Sequence, residues 1–395
     1  MIVIGARVAG ASTAMLLARQ GLDVLLVDRA AFPSDTLSTH QVQLPGVARL
    51  RRWGLLDALD AAGTPPARRV RYDAGDVVLD GCFPEHDGVD ALYSPRRRLL
   101  DALLVDAARA AGAEVRERFG IDELRFDDGR VCGVRSGTVS ETARLVVGAD
   151  GRHSLVAKAV RAAAYHVRPP QTVGYYTYWA GVPLSGGELY ARPRRLIGAW
   201  PTNDGLTITY VAAPHDDLAT FRADPEDAVR RSLDLAGELG ERVRAGERAD
   251  RVFGSADLQN RFRAPHGPGW ALVGDAGLLM DPVTGQGISD AFRDAELLAD
   301  AVAAGTLAGY RAARDRAALP MYELTLDVAS MAPPRPEQRM LLEAIADRPD
   351  EVSRFFGVLT GAIPPAAYFS PRNLLRLIGV RGMVTAARSR RKMAA

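Results

Sequence analysis

Trp270-Ala-Leu-Val273 runs into Gly274-Asp275-Ala276 and on through Met280-Asp281-Pro282-Val283-Thr284-Gly285-Gln286-Gly287-Ile288, and the fold turns on this stretch. The apolar quartet predicts a strand. The Gly/Pro-rich middle predicts a turn, and Ser289 to Ala304 repeats apolar residues at helical period. This order puts the Asp275 carboxylate at a strand's C-terminal end, where it can accept hydrogen bonds from ligand hydroxyls. It also puts a pliant backbone at a helix N-terminus. There the amides freed by Gly285 and Gly287 favour a ligand that gains negative charge, because they sit at the positive end of the helix dipole.

A second segment starts the chain. Met1-Ile-Val-Ile4 predicts a strand, Gly5-Ala6-Arg7-Val8-Ala9-Gly10 a turn into a helix from about Ala11 to Arg19, and Gly21 its stop. Val24-Leu-Leu-Val27 then delivers Asp28, 23 positions after Gly5. This is a βαβ dinucleotide fingerprint with its acidic residue near the expected distance of about 20. Gly5 allows the tight turn and Gly10 the close helix–strand packing. Asp28 accepts from ribose hydroxyls, with Arg29 beside it as a further contact. Arg7 stands where a glycine normally admits the pyrophosphate, so it either reaches round a phosphate or faces solvent.

A third segment, Leu145-Val-Val-Gly-Ala-Asp150-Gly-Arg-His-Ser154, again ends an apolar strand in Asp-Gly before a helix. Between the two, Ser94-Pro-Arg96-Arg97-Arg98-Leu-Leu-Asp101 opens a helix with one apolar face. In order and spacing these segments resemble FAD-dependent monooxygenases of the para-hydroxybenzoate hydroxylase type, the group A flavoprotein monooxygenases. They are also similar to geranylgeranyl-reductase-like flavoproteins. The resemblance covers roughly residues 1–310. It implies an α/β fold: a GR2-type Rossmann-like FAD-binding domain, an inserted substrate domain on a mostly antiparallel sheet, and C-terminal helices.

The resemblance also implies roles. Gly274 and Asp275 match the GD motif that holds the ribityl chain, and Pro282, Gly285, Gly287 and Ile288 lie against the flavin ring. Asp150 matches the DG motif, and Arg97 the FAD-contacting arginine of an Arg-x-x-Leu-Asp pattern. The family usually has arginine near Lys158. FAD is then bound non-covalently and NAD(P)H is a transient reductant. O2 forms a flavin C4a-hydroperoxide that oxygenates a small molecule, and a separate flavin reductase is one possible electron source. The loop after the second strand carries Ser38-Thr39-His40-Gln41 where many such hydroxylases have Arg and Gly. His40 is a candidate proton carrier, or else a neutral residue holding that loop.

Composition narrows the class. The chain has 395 residues, 47% of them hydrophobic, enough for large cores. A net charge of +2 gives no field that points to nucleic acid or an anionic membrane. Cys82 and Cys132 are too few for a disulfide framework, and the six histidines show no metal-ligand spacing. No run approaches the roughly 18 apolar residues that span a bilayer. The first strand begins at residue 2, so a cytoplasmic protein is expected.

The organisation expected is FAD domain over 1–165 with strands inserted near 68–95, substrate sheet over 166–262, FAD domain again over 263–320, and helices over 321–395. Tyr176 and Tyr178 share one face of a predicted central strand, with Trp200 on a neighbour. They suggest an aromatic wall for a bulky, partly aromatic or polycyclic substrate. Halogenases of this fold need a lysine by the oxidant tunnel and a Trp-x-Trp-x-Ile-Pro segment. Here Trp53, Trp179, Trp200 and Trp270 are isolated, and no lysine precedes Lys158. Halogenation is therefore set aside. A double-bond reductase is kept as the alternative, and a non-catalytic FAD-bound scaffold stands behind both. Oligomeric state is not legible.

Overall fold

The computed structural model describes residues 1–394, with side chains through residue 385. The arginine-rich run at 387–391 lies outside the described side chains. Three short apolar strands, Ile2–Ile4, Leu25–Val27 and Val146–Gly148, are wholly buried and pair in parallel. Trp270–Leu272 and Glu114–Arg116 extend them in parallel on either side, and His266–Gly267 adds an antiparallel edge. Burial on both faces explains why these strands read as continuous apolar runs with no alternation.

The Val8–Arg19 helix packs on this sheet against the Arg97–Ala110 and Gly287–Ala303 helices. Its small residues permit the close approach. A Cβ on Gly10 would lie 1.7 Å from the Gly5 carbonyl oxygen, and Gly5 itself sits at φ 98.

A second, mixed sheet faces the first. Its order is Glu247–Arg248, Thr172–Ala180, Thr207–Pro214, Arg195–Pro201, Gly187–Arg192, Arg69–Asp73, Val78–Cys82, with Phe253–Ser255 also pairing on Thr172–Ala180. The strands expected near 68–95 inside the cofactor domain therefore belong mainly to this sheet: Arg69–Asp73 pairs in parallel with Gly187–Arg192. Asp128 (φ 43) and Gly129 (φ 74) close a hairpin between Glu123–Asp127 and Arg130–Ser136.

The helix capped by Asp224 ends at Asp234, and a new helix, Glu238–Ala245, starts after Gly237 at φ 56. Pro320 lies inside the Tyr310–Ala329 helix.

Candidate active site

Between the C-terminal ends of the parallel strands and the second sheet lies a cavity of about 680 Å³. That is within the range of cofactor sites. Two helix N-termini open onto it, at Val8 and at Gly287, and neither carries a side-chain cap. Their first-turn amides are thus free for an anionic group. Gly285 lies at φ 63, and a Cβ there would come within 2.7 Å of Gln41 Oε1. Gly287 has open space before it, so ligand can approach the backbone directly.

The carboxylates divide in two. Asp28 accepts from the amides of Ala6 and Ala30, both at 2.7 Å, and Asp150 from those of Leu155 (2.7 Å) and Val156 (3.2 Å), while Asp150 Oδ1 is buried without a partner. Burial raises the Asp150 pKa. Asp275 takes no hydrogen bond from the described residues. It is exposed to the cavity but walled by protein, and that desolvation pushes its pKa up to about 6. A carboxylate left in this state fits a ligand that supplies hydroxyl donors.

Arg97 is buried and clasps Asp101, with Nε at 3.1 Å and Nη2 at 2.9 Å from Oδ1. Arg7 reaches the other oxygen of the same fully buried carboxylate at 2.6 Å. Two guanidiniums on one carboxylate leave a net positive charge beside the cavity. Arg7 also donates to Ser34 O, Ser34 Oγ and Asp35 O. Arg7 lines the cavity, with its guanidinium bonded to Asp101 and to the loop that follows the second strand.

The expected residues Gly5, Arg7, Asp28, Arg29, Arg97 and Asp150 line the cavity from the N-terminal side. Asp275, Pro282, Gly285, Gly287 and Ile288 line it from the other. Gly10 and Gly274 do not; Gly274, at φ 56, lets the Val8–Arg19 helix come close, with Ala9 Cβ 2.8 Å from where a side chain would be.

His40 is not in the cavity wall. It is fully buried behind the loop, its Nδ1 2.6 Å from Ser38 O and its Nε2 2.6 Å from Tyr178 Oη. Burial lowers its pKa to about 4, so the ring is neutral, donating to the Ser38 carbonyl and accepting from Tyr178. A proton carrier between solvent and ligand needs an exposed face, which His40 lacks. The Tyr178 phenol is committed to it, and Arg96 lies 4.0 Å over the Tyr178 ring.

The tyrosine pair separates accordingly. Tyr176 lines the large cavity, whereas Tyr178 lines neither that cavity nor the small chamber beside it. Trp200 lines a small adjoining chamber of about 30 Å³, with Leu189, Leu196, Ile208 and Tyr210 on its sheet side and the Pro282–Gly285 turn opposite. That is room for about one water, so of the three expected aromatic residues Tyr176 faces the large cavity and Trp200 only this chamber. Gly187 makes the slot for the indole, since a Cβ there would fall 1.9 Å from it.

Sequence reasoning missed the apolar lining because strand residues of this type read as ordinary core. It also missed Gln41 and Gln43. Gln43 Nε2 holds Gln41 Oε1 and Thr284 O, each at 3.1 Å, pinning the turn beside the chamber. The alternation Gln41-Val-Gln43 was the available signal. Among the described residues there is no cluster able to hold a metal ion, and no helix is long and apolar enough to cross a membrane.

The profile of the FAD binding domain family matches residues 1–322. The chain belongs to this family. It is an FAD-dependent flavoenzyme, of the group A flavoprotein monooxygenase type in its fold and motifs. A 1H-pyrrole-2-carbonyl-[peptidyl-carrier protein] brominase of Pseudoalteromonas luteoviolacea is 23% identical over 326 residues, 76% of each chain. A menaquinone reductase of Mycolicibacterium smegmatis is 28% identical over 334 residues, 79% of this chain and 78% of its own. The crystal structure of PqsL, a probable FAD-dependent monooxygenase from Pseudomonas aeruginosa, aligns with a TM-score of 0.68 at 21% identity, covering 90% of this chain and 98% of that one. Halogenases, set aside on the sequence, are thus among the similar proteins.

Proposed function

We propose that this flavoenzyme is an NAD(P)H-dependent monooxygenase that inserts oxygen into a slim, largely apolar group of a small molecule. The observation that carries the reading is the pairing of a cofactor-sized cavity, entered by a partnerless Asp275, with a tight, mainly apolar chamber that holds no carboxylate, amine or thiol and whose one phenol, Tyr210, is kept protonated by burial. The chemistry then belongs to the bound flavin, which takes hydride from NAD(P)H and activates O2.

The residues supply the rest. Asp275 accepts from the ribityl hydroxyls. The uncapped amides near Val8 and Gly287 receive the pyrophosphate and the carbonyl edge of the ring, while the charge shared by Arg7, Arg97 and Asp101 balances the phosphates. Leu189, Leu196, Trp200 and Ile208 exclude water from the reacting face. Gln41 and Gln43 fix the Pro282–Gly285 turn against which the substrate is positioned. With so little space beside Trp200, only an edge or chain end of the substrate enters, in place of the whole polycycle expected from the sequence.

Halogenation is disfavoured, despite the brominase relative, because Lys158 lines neither the cavity nor the chamber. Double-bond reduction is the second reading: the narrow apolar chamber suits an isolated alkene, and one relative is a menaquinone reductase.

Anaerobic mixing with NADH and NADPH, followed by O2, tests the proposal. Bleaching of the flavin, then a transient absorbance distinct from its oxidised and reduced forms, is expected. Direct reoxidation without a transient, together with deuterium passing from labelled nicotinamide into an alkene, would instead select the reductase. Bleaching by dithionite but by neither nucleotide would move the electron source to a separate reductase.

A further inference from the structure

The last 25 residues contain seven basic side chains and no acidic one. The preceding 370 carry 43 basic against 48 acidic, so the mild overall charge of +2 hides a strongly basic segment on an acidic body. This segment forms the Pro371–Ala394 helix, bent at Gly379 (φ 65, ψ −174).

One side of the helix is docked. Leu377 is buried, Asn373 Nδ2 donates to Tyr368 O at 2.7 Å, and Arg376 pairs with Glu351 at 2.7 Å. The outer side is bare. Leu375, Val380 and Val384 are 48%, 71% and 45% exposed, three of the eight large hydrophobics exposed among the described residues. Such exposure is concentrated here and is not scattered in the way that needs no explanation. Val380 and Val384, one turn apart, share a face. Arg372 and Arg381 stand exposed nearby, without an acidic partner among the described residues.

We propose that this helix docks the protein on an anionic lipid surface. The exposed aliphatic side chains enter the acyl boundary while the guanidiniums meet headgroup phosphates, each basic residue adding to the attraction. Duplex nucleic acid would use the arginines but gain nothing from bare valines. The acidic body is repelled by the same lipid surface, so attachment is oriented through the helix. The inference is independent of which reaction the flavin performs.

Sedimentation of the FAD-loaded full chain with vesicles tests it. Association is expected with vesicles of phosphatidylcholine containing phosphatidylglycerol, but not with phosphatidylcholine alone, and about 0.5 M NaCl should release most of it. The double substitution Val380→Asp/Val384→Asp should weaken association at least tenfold while FAD content stays unchanged, and Arg372→Ala/Arg381→Ala should weaken it as well. Failure to bind the anionic vesicles, or equal binding by the valine variant, would overturn the proposal. So would a duplex oligonucleotide that binds as tightly as the vesicles and does not respond to the valine substitutions.

Discussion

His40 holds a left-handed backbone (φ 66), a conformation that costs a non-glycine residue about 1–2 kcal/mol. Full burial and two 2.6 Å hydrogen bonds keep it there. Its folded pKa, about 4, lies below the usual value of 6.5, chiefly through burial. The stability this neutral ring contributes is therefore complete above pH 6.5 and lost as pH falls towards 4. His40→Gln should show a shallower fall in Tm than the parent across that window, and slower turnover with FAD retained. Superimposable Tm profiles would mean that His40 is not held neutral. At Trp200, shortening the side chain should enlarge the chamber. Trp200→Leu is expected to raise kcat/KM for wider substrates relative to slim ones; an unchanged ratio would remove Trp200 as the limit on substrate width.

Elements were legible to different degrees. Strands buried on both faces, with glycine turns at their ends, announced the parallel sheet: Ile2–Ile4 pairs with the nearby Leu25–Val27 and with the distant Val146–Gly148, whose apolar run into Asp-Gly carries its own local mark. The placement of Arg69–Asp73 was not legible: its partner, Gly187–Arg192, lies more than a hundred residues later, and no local pattern encodes that pairing. The helix break at Gly237 was hidden because the apolar period continues across it. Of the site, the motif glycines and carboxylates could be read, since their conformation and charge leave a local mark. The chamber could not, because Leu189, Leu196 and Ile208 acquire meaning only where strands converge on the Pro282–Gly285 turn. The glycine fingerprint gives an element-scale test. Gly10→Ala drives a methyl into the Gly5 carbonyl and should abolish FAD binding, or folding itself. Gly21→Ala, at φ 79 with nothing within 4 Å, should cost only about 1 kcal/mol in a denaturation curve. Similar losses from both would show that the turn tolerates a side chain.

At the scale of the molecule, a cofactor-sized space lies between the two sheets, with a narrow chamber at its edge. The family relationship shows that flavin binds, and similar proteins carry names as different as brominase, menaquinone reductase and monooxygenase. On the proposed function, the shape of the chamber limits which group of a substrate reaches the flavin.

The sharpest test is an FAD titration of the Asp275→Ala variant beside the parent. The parent should bind one FAD per chain, released intact on acid precipitation. Loss of the carboxylate, leaving ribityl hydroxyls unpaired, should cost on the order of 1–3 kcal/mol, about tenfold or more in affinity. An Asp275→Ala protein that binds FAD as tightly as the parent would contradict the placement of the cofactor in this cavity.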